Sequence, residues 1–430
     1  MSQERNSPGR SFGSPTPNEL GALKIIIVVG RFPQLSETFI WRKVLALRAR
    51  GHQVLVATRE HRRAEGLLAT SASRNLQVSE LVPEWGFSAP GRLWRAVVGG
   101  LWYSARRPMA AMLLLLRCHR DPRTARNPNR QFLRHLWFLG RQCDVLHFEF
   151  LPLAGMYPLA AELMKTHEVV SCRGADLHML PQADADLRHL ALDSLARVGL
   201  VHCVSAEMAA WVERVSGRRR GVFVNRPAVD PSEGTRPPES NTVPLIVSVG
   251  RLVWKKGFDY LLAALAMLKC DGVAFRAEII GGGPLEAELR FSVVDLDLDH
   301  HVIITGPRPA SAVQRRLREA DIFVLSSVEE GISNAALEAM AAGVPIVTTA
   351  AGGMAEAVAD GREGFVVPVR DVGTLAARLR ELLLNQSMRV EFGRAARARV
   401  STDFSLARQA AVFEHQYRSL IGECAEDGAI

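Results

Sequence analysis

Cysteine is sparse in this chain. Six (Cys118, Cys143, Cys172, Cys203, Cys270, Cys424) are scattered over 430 residues with no C-x-x-C pair. That spacing indicates neither a disulfide scaffold nor a zinc site, and a reducing cytoplasm is the expected compartment. Long apolar runs are also lacking. The run MAAMLLLL at 109–116 is far short of the ~20 residues that a spanning helix needs, so no transmembrane segment is expected. The opening residues, MSQERNSPGRSFGSPTPNEL, hold no apolar core; the stretch 1–22 reads as a disordered tail rather than a signal peptide. Paired aspartates are nearly absent from the second half. The D-x-D run there, DLDLDHH from Asp295, reads as surface, and no metal ligand set is indicated.

Arginine, by contrast, is abundant and unevenly placed. Residues 1–240 carry 33 Lys and Arg against 21 Asp and Glu, whereas the remainder carries 20 against 24. Between 92 and 141 stand eleven arginines and one acid, Asp121, interleaved with Trp94, Trp102, Tyr103 and the 109–116 run. That mixture suits an anionic membrane surface or nucleic acid. Solvated helix faces would look the same. An anionic membrane, at the inner face of the cell membrane, is the expected partner of the two, and nucleic acid is not expected.

Short continuous apolar runs alternate with helical patterns along the chain. KIIIVV at 24–29 reads as a buried parallel strand, GRFPQLS as the following loop, and the next helix is predicted from Ser36, with Glu37 in its first turn and Phe39, Ile40, Val44 and Leu47 on its apolar face. Further strands are predicted at 53–58, 144–148, 168–172, 200–204, 222–225, 245–249, 302–306 and 321–325. Such alternation predicts an α/β fold with doubly wound parallel sheets. The segment DPSEGTRPPESNTVP has a linker's composition, which places a domain boundary at 231–244 between units 23–230 and 245–403. Residues 404–430 form a terminal helix.

The chain is organised around SSVEEGISNAALEAMAAGVPIV at 326–347. A buried strand runs into Gly331 and then a helix capped by Ser333 and Asn334, which aims backbone N–H groups and a helix dipole at whatever lies in front: an anion site. Glu330 stands ahead of the helix and Glu338 about 7.5 Å into it at 1.5 Å per residue. The helix is apolar nearly all round, so Glu338 is predicted to be buried and in need of a partner. Glu329 reads as a surface charge. A nucleotide sugar has hydroxyls at both ends and a pyrophosphate between them, and suits this layout.

These residues carry a resemblance. Glu330, Gly331, Glu338 and EAMAAGVPIV resemble the E-x7-E signature of retaining glycosyltransferases of family 4, and FPQLSETFI resembles the N-terminal motif of bacterial exopolysaccharide enzymes of colanic-acid type. GRLVWKKG at 250–257, AEIIGGGP at 277–284, the Gly352-Gly353-x-x-Glu356 loop and GREGFVVP at 361–368 continue the match. The resemblance implies the GT-B fold, two Rossmann-like domains facing a cleft, with the terminal helix crossing back to the first. It implies transfer from a nucleotide-sugar donor, UDP or GDP type, to a glycan or polyprenyl-linked saccharide, with no metal or other cofactor.

By that resemblance Glu330, Arg251, Lys256 and His147 are the candidate catalytic residues. Gly30, Gly250, Gly331, Ile332, Ser333, Asn334 and Glu338 are the candidate donor-binding residues, and Arg173, Asp176 and Glu356 are candidate cleft residues. Arg251 and Lys256 would neutralise the leaving pyrophosphate. Gly30 is either a close approach to phosphate or a plain turn. His147 departs from the pattern, because its H-x-H-F partner position is Glu149; a lone strand histidine is otherwise structural. Arg173 with Asp176 could equally be a salt-bridged loop. The rival is a non-catalytic binding protein on the same fold, gripping membrane or nucleic acid with its arginine-rich half.

Overall fold

The structure is a computed structural model, and it describes residues 21–33, 37–61, 76–81, 104–174, 185–230 and 242–422. The expected tail at 1–22 and linker at 231–244 fall largely outside these residues, as do Ser36, Asp176 and the aromatic-rich part of the basic stretch.

Two all-parallel sheets organise the chain. The first contains β1 (Lys24–Phe32), β2 (Gln53–His61), β3 (Gln77–Glu80), β4 (Val145–Phe148), β5 (His167–Cys172), β6 (Leu200–Cys203) and β7 (Val222–Val224), in the order β3-β2-β1-β4-β5-β6-β7. The second contains β8 (Leu245–Val249), β9 (Arg276–Ile280), β10 (Val302–Gly306), β11 (Ile322–Leu325), β12 (Ile346–Thr349) and β13 (Gly364–Val367), in the order β10-β9-β8-β11-β12-β13. Each strand order reverses once, at β1/β4 and at β8/β11. The chain leaves both neighbouring strands there in opposite directions, which opens a crevice at their carboxyl ends.

The short apolar runs are explained by burial on both faces. Ile26 and Val28 point into one core while Ile25, Ile27 and Val29 point into the other, as a parallel strand covered by helices on both sides requires. β1 is longer than its apolar run. It continues through Gly30 to Phe32, because Arg31 pairs with Glu60 and Phe32 with His61 in register, Arg31 bonds Glu60 at 2.9 Å, and Phe32 stacks on Trp41. Gly30 is therefore a strand residue and not a turn; a Cβ added to it would meet nothing within 4 Å. The strand β3 carries little apolar sequence, QVSE, and had no periodic signal.

The last helix, Leu406–Leu420, is capped by Ser405, which accepts from Arg408 N. Its Ala410, Phe413 and Tyr417 sit in a core of the first sheet, beside the helix Thr38–Ala49. Full burial of each of the two rings contributes roughly 2–3 kcal/mol. The two chain crossings run together: Val229 bridges Ser405, and Val229 N donates to Phe404 O at 3.0 Å.

Candidate active site

The segments singled out around the cleft follow the carboxyl ends of β1, β4 and β5 in the first sheet and of β8, β11 and β12 in the second, at or next to the two reversal points. In the second sheet, β11 ends at Leu325 and the loop after it brings Glu330 in front of the helix Asn334–Ala341. Ser333 caps that helix by accepting from Ala336 N, while Ala336, Leu337, Ala339 and Met340 bury its apolar sides. The neighbouring β8 ends at Val249, and the Lys256 stem lies over Gly250, where an added Cβ would be in ordinary contact with it at 3.5 Å. Lys256 Nζ donates to Glu330 Oε2, and Ser327 Oγ donates to the same oxygen at 3.2 Å. Burial would raise the Glu330 carboxyl; the charge and hydrogen bond of Lys256, with Lys255 and Ser327 behind it, outweigh burial and hold it below its ordinary value.

The glycines of the 352–353 loop are dictated by this packing. Gly352 has φ 54°, and a Cβ there would lie 1.8 Å from Glu330 O. A Cβ on Gly353 would lie 2.6 Å from Ser205 Cβ of the first unit and 2.9 Å from Gly331 O. A Cβ on Gly331 would lie 3.0 Å from Val204 Cγ2, and one on Gly174 would lie 3.4 Å from Gly331 N. Backbone thus meets backbone where the loops after β5 and β6 touch those after β11 and β12. Ile332 is buried in the core beneath, and Ser333 N points at Met354 Sδ, 3.3 Å away.

Charged contacts continue across the same gap. Glu338 bonds Arg42 Nη1 of the helix Thr38–Ala49 at 2.8 Å, so the partner it was expected to need comes from the other half of the chain. Glu356 Oε1 accepts from Ala206 N and Glu207 N at 2.8 and 3.1 Å, and its other oxygen pairs with Arg226 at 2.7 Å. With Ser205 accepting from Met208 N, the start of the helix Ala206–Ser216 is satisfied, partly by a carboxylate from the second unit. Glu356 is a clasp between halves rather than a free cleft residue.

On the first side the sequence expectation for His147 fails. Its side chain is fully buried and points to the sheet face that the terminal helix covers. His202 Nε2 lies 2.7 Å from the Asn225 carbonyl, so a neutral His202 must donate there, and this sets the direction of a relay. Ser171 Oγ donates to His202 Nδ1 at 2.8 Å, His147 Nε2 donates to Ser171 Oγ at 2.7 Å, and Tyr417 Oη donates to His147 Nδ1 at 2.6 Å. Burial, then the Lys43 charge, holds His147 well below its ordinary pKa; burial, then Arg173 and Lys43, pushes His202 down to about 3. His147 anchors the terminal helix and does not reach the cleft.

Glu149, two positions on, is also buried. It bonds Lys43 at 2.6 Å and Arg173 at 2.8 Å. Burial works against its charge, yet Lys43, His147 and Arg173 hold it far below the carboxylate range, while burial pushes Lys43 down to about 8 against the pull of Glu149. Arg173 also lies over the Phe39 ring, 3.9 Å from its centroid. Asp176 lies outside the described residues. The signal for Lys43 was present but unused: it sits in the buried stripe Ile40, Lys43, Val44, Leu47, where a lysine demands a buried anion.

Other groups have no such partners among the described residues. Arg251 is exposed, and Asn334 Oδ1 and Glu329 Oε1 are buried without a hydrogen-bond partner; Glu329 is thus half-buried and not the surface charge expected. Glu37 is half-buried, forms no side-chain cap on its helix, and its carboxyl is pushed up to about 7 by burial, with Glu149 adding to the effect and Arg173, Arg251 and Arg31 opposing it. Among the described residues no three His, Cys, Asp or Glu side chains gather as a metal site would need, and no helix is long and apolar enough to cross a membrane.

Known proteins bear on this arrangement. Residues 234–399 match the family described as glycosyl transferases group 1. A putative colanic acid biosynthesis glycosyltransferase, WcaL, of Salmonella typhimurium is 39% identical over 168 residues, 37% of this chain and 41% of the relative. A GDP-mannose-dependent alpha-(1-6)-phosphatidylinositol monomannoside mannosyltransferase of Mycolicibacterium smegmatis is 30% identical over 261 residues, 57% of this chain and 68% of the relative. The chain thus spans less than half the length of the colanic acid relative. HepE of Anabaena, solved with UDP and glucose, superposes with a TM-score of 0.69 at 17% identity, covering 92% of this chain and 100% of that one. With two parallel-sheet α/β units arranged as in GT-B proteins and a relative matched over two thirds of its length, the chain belongs to the group 1 glycosyltransferases.

Proposed function

We propose that the chain transfers a sugar, with retention at the anomeric carbon, from a nucleotide-sugar donor to a glycan or lipid-linked saccharide in exopolysaccharide or cell-surface polysaccharide biosynthesis. The observation that carries this reading is the Glu330–Lys256–Ser327 group in front of the helix Asn334–Ala341, at the carboxyl ends of β8 and β11. The helix N-terminus and Lys256, with Arg251 beside them, supply positive charge for a pyrophosphate and for the charge that grows on it as the glycosidic bond to phosphate breaks. Glu330 faces the transferred sugar and Glu338 the ribose, once Arg42 gives way. The names of the relatives, a colanic acid enzyme and a GDP-mannose-dependent mannosyltransferase, support a polysaccharide or lipid-linked acceptor and a UDP or GDP donor.

The same cations support a reaction without a metal, so chelator should leave the rate unchanged. Release of UDP or GDP from a panel of activated sugars, with lipid-linked and free saccharides as acceptors, tests the reading. A folded protein that turns over no donor removes it.

Docking on the inner face of the cell membrane belongs to the same proposal. The helix Pro108–Arg120 buries Ala111, Leu114 and Cys118 and exposes Met109, Met112, Leu113 and Leu116, a stripe at i, i+3, i+4, i+7, with Arg106, Arg107, Arg117 and Arg120 beside it. An outward apolar stripe flanked by arginines fits an anionic bilayer surface. Arg106→Gln, Arg107→Gln, Arg117→Gln and Arg120→Gln together should weaken binding to anionic liposomes, and wild-type protein that ignores them at low salt rules docking out.

A further inference from the structure

Glu356 belongs to the second unit, yet its carboxylate is bound by the first. Its Oε1 accepts from Ala206 N at 2.8 Å and Glu207 N at 3.1 Å, and its Oε2 accepts from Arg226 Nη2 at 2.7 Å and Arg226 Nε at 3.1 Å. The N–H groups that open a helix have no partner inside it. Of the first three in the helix Ala206–Ser216, Ser205 Oγ satisfies Met208 N and Glu356 satisfies the other two. Both sides of the contact are fixed within their own units. Glu356 O accepts from Arg399 Nη2 at 2.8 Å, and Arg399 also pairs with the buried Glu363. Arg226 O accepts from Gln409 Nε2 at 2.8 Å, on the terminal helix that packs on the first sheet. Gly352 and Gly353, which lead into Glu356, are packed between the Glu330–Gly331 backbone and Ser205. Glu356 therefore grips the first unit one residue past the point where that unit meets the loop of Glu330.

We propose that Glu356 is a positioning residue for the transfer: it touches no reacting atom and fixes where the first unit stands over Glu330 and Lys256. This rests on the transferase reading above, in which the second unit holds the donor and the first brings the acceptor. Magnitudes decide which of its contacts matters. The Arg226 side chain is 41% exposed, so water screens the ion pair and it adds little. The two amide contacts lie at a helix N-terminus, where a carboxylate meets both the N–H groups and the positive end of the dipole. They carry the clasp. A misplacement of about 1 Å between reacting groups costs on the order of 100-fold in rate, even when the change is made far from them. The donor contacts stand apart from this, because Lys256, Glu330 and the helix Asn334–Ala341 all belong to the second unit. Loss of the clasp should therefore lower turnover and leave the binding of a nucleoside diphosphate as it was.

The test uses the full chain, the panel of activated sugars, and calorimetry with UDP and GDP. Glu356→Ala should bind the diphosphate as wild type but lose about 10- to 100-fold in turnover, with little change in the Michaelis constant for donor. Hydrogen exchange at Ala206 and Glu207 should rise in this variant while β8 and β11 keep their protection. Glu356→Gln keeps an oxygen for the two amides and forfeits the charge, so its loss should be smaller, about 3- to 10-fold. Arg226→Met removes only the screened pair and should stay within about threefold of wild type. A folded Glu356→Ala with wild-type turnover overturns the proposal; if that variant does not fold, wild-type turnover in Glu356→Gln does so instead. So does a variant in which turnover and diphosphate affinity fall by the same factor, since Glu356 would then only support the fold. Arg226→Met losing as much as Glu356→Ala also overturns it, because the ion pair and not the helix contact would then hold the units. Wild-type protein that turns over no donor removes the transferase reading and this role with it, whereas turnover that Glu356→Ala leaves unaffected removes this role alone.

Discussion

Two lysine–glutamate pairs follow strand ends in this molecule, and they differ in what covers them. Lys43–Glu149 behind β4 is enclosed, with side chains 3% and 0% exposed, and Phe413 of the terminal helix lies 4.0 Å from Lys43 Nζ. Lys256–Glu330 after β8 and β11 keeps 14% on each side chain and faces the gap. The chemistry of the two pairs is the same. The first has a third and a fourth partner in Arg173 and His147 and no access for a ligand. The second has Ser327 and a helix N-terminus nearby, and can exchange its partner for a ligand. What separates an internal brace from a reactive group here is the helix laid over one and withheld from the other.

The largest single-site effect should therefore come from the enclosed pair. Glu149→Gln leaves Lys43 buried with no carboxylate beside it and should cost ~3–5 kcal/mol in a urea titration, whereas Lys43→Met leaves Glu149 still held by Arg173 and should cost less. The double variant should recover at least half of that loss. Additive losses would mean that the pair is not a unit.

Next in size is the open pair, with the opposite signature. Glu330→Gln should lower turnover by about 100-fold with little change in the Michaelis constant and a melting temperature near wild type. A folded variant with full turnover would falsify the placement of the reaction at this group.

Acid should distinguish the two halves again. His135 is pushed down to about 4 and His202 to about 3, chiefly by burial, and His147 well below its ordinary value. Each binds a proton in the unfolded chain before the folded one does. Stability is therefore intact above pH 6.5 and falls as pH drops below it, by ~2 kcal/mol per histidine at pH 5. All three stand in the first unit. Hydrogen exchange should show β4, β5 and β6 losing protection at pH 5 while β8, β11 and β12 keep theirs; equal loss in both sheets would contradict this account.

The smallest of these effects is at the rim. Lys256→Ala and Arg251→Ala should each cost on the order of tenfold in affinity for UDP or GDP by calorimetry, the value of one charge-assisted contact. Unchanged affinity in both would remove them from the site.

The local pattern reached far into the fold. β8 and β10 run over the residues their apolar runs name, and Ser333 caps the helix that Gly331 introduces. These features depend on neighbours in sequence: two-sided burial of a parallel strand, a cap within one turn, a glycine where a carbonyl comes close. β3 escaped because QVSE has no apolar period, and the end of β1 escaped because Arg31 and Phe32 are held by cross-strand partners.

For the site, residue type and spacing determined that Glu330 and Lys256 would lie at strand ends in one half, and the pairing of the two follows from strands that are adjacent in the sheet. Which charged groups remain open was decided elsewhere. His147 looked like a cleft residue until a helix 270 positions later placed Tyr417 against it. Glu338 and Glu356 are bound by residues of the other half, Arg42 and Arg226, and Glu37 has no hydrogen-bond or ion-pair partner among the described residues. The physical reason is range. Periodicity, caps and turns act over a few residues, whereas the burial and charge that set a carboxylate's role depend on chain segments hundreds of residues apart, and only their packing brings those together.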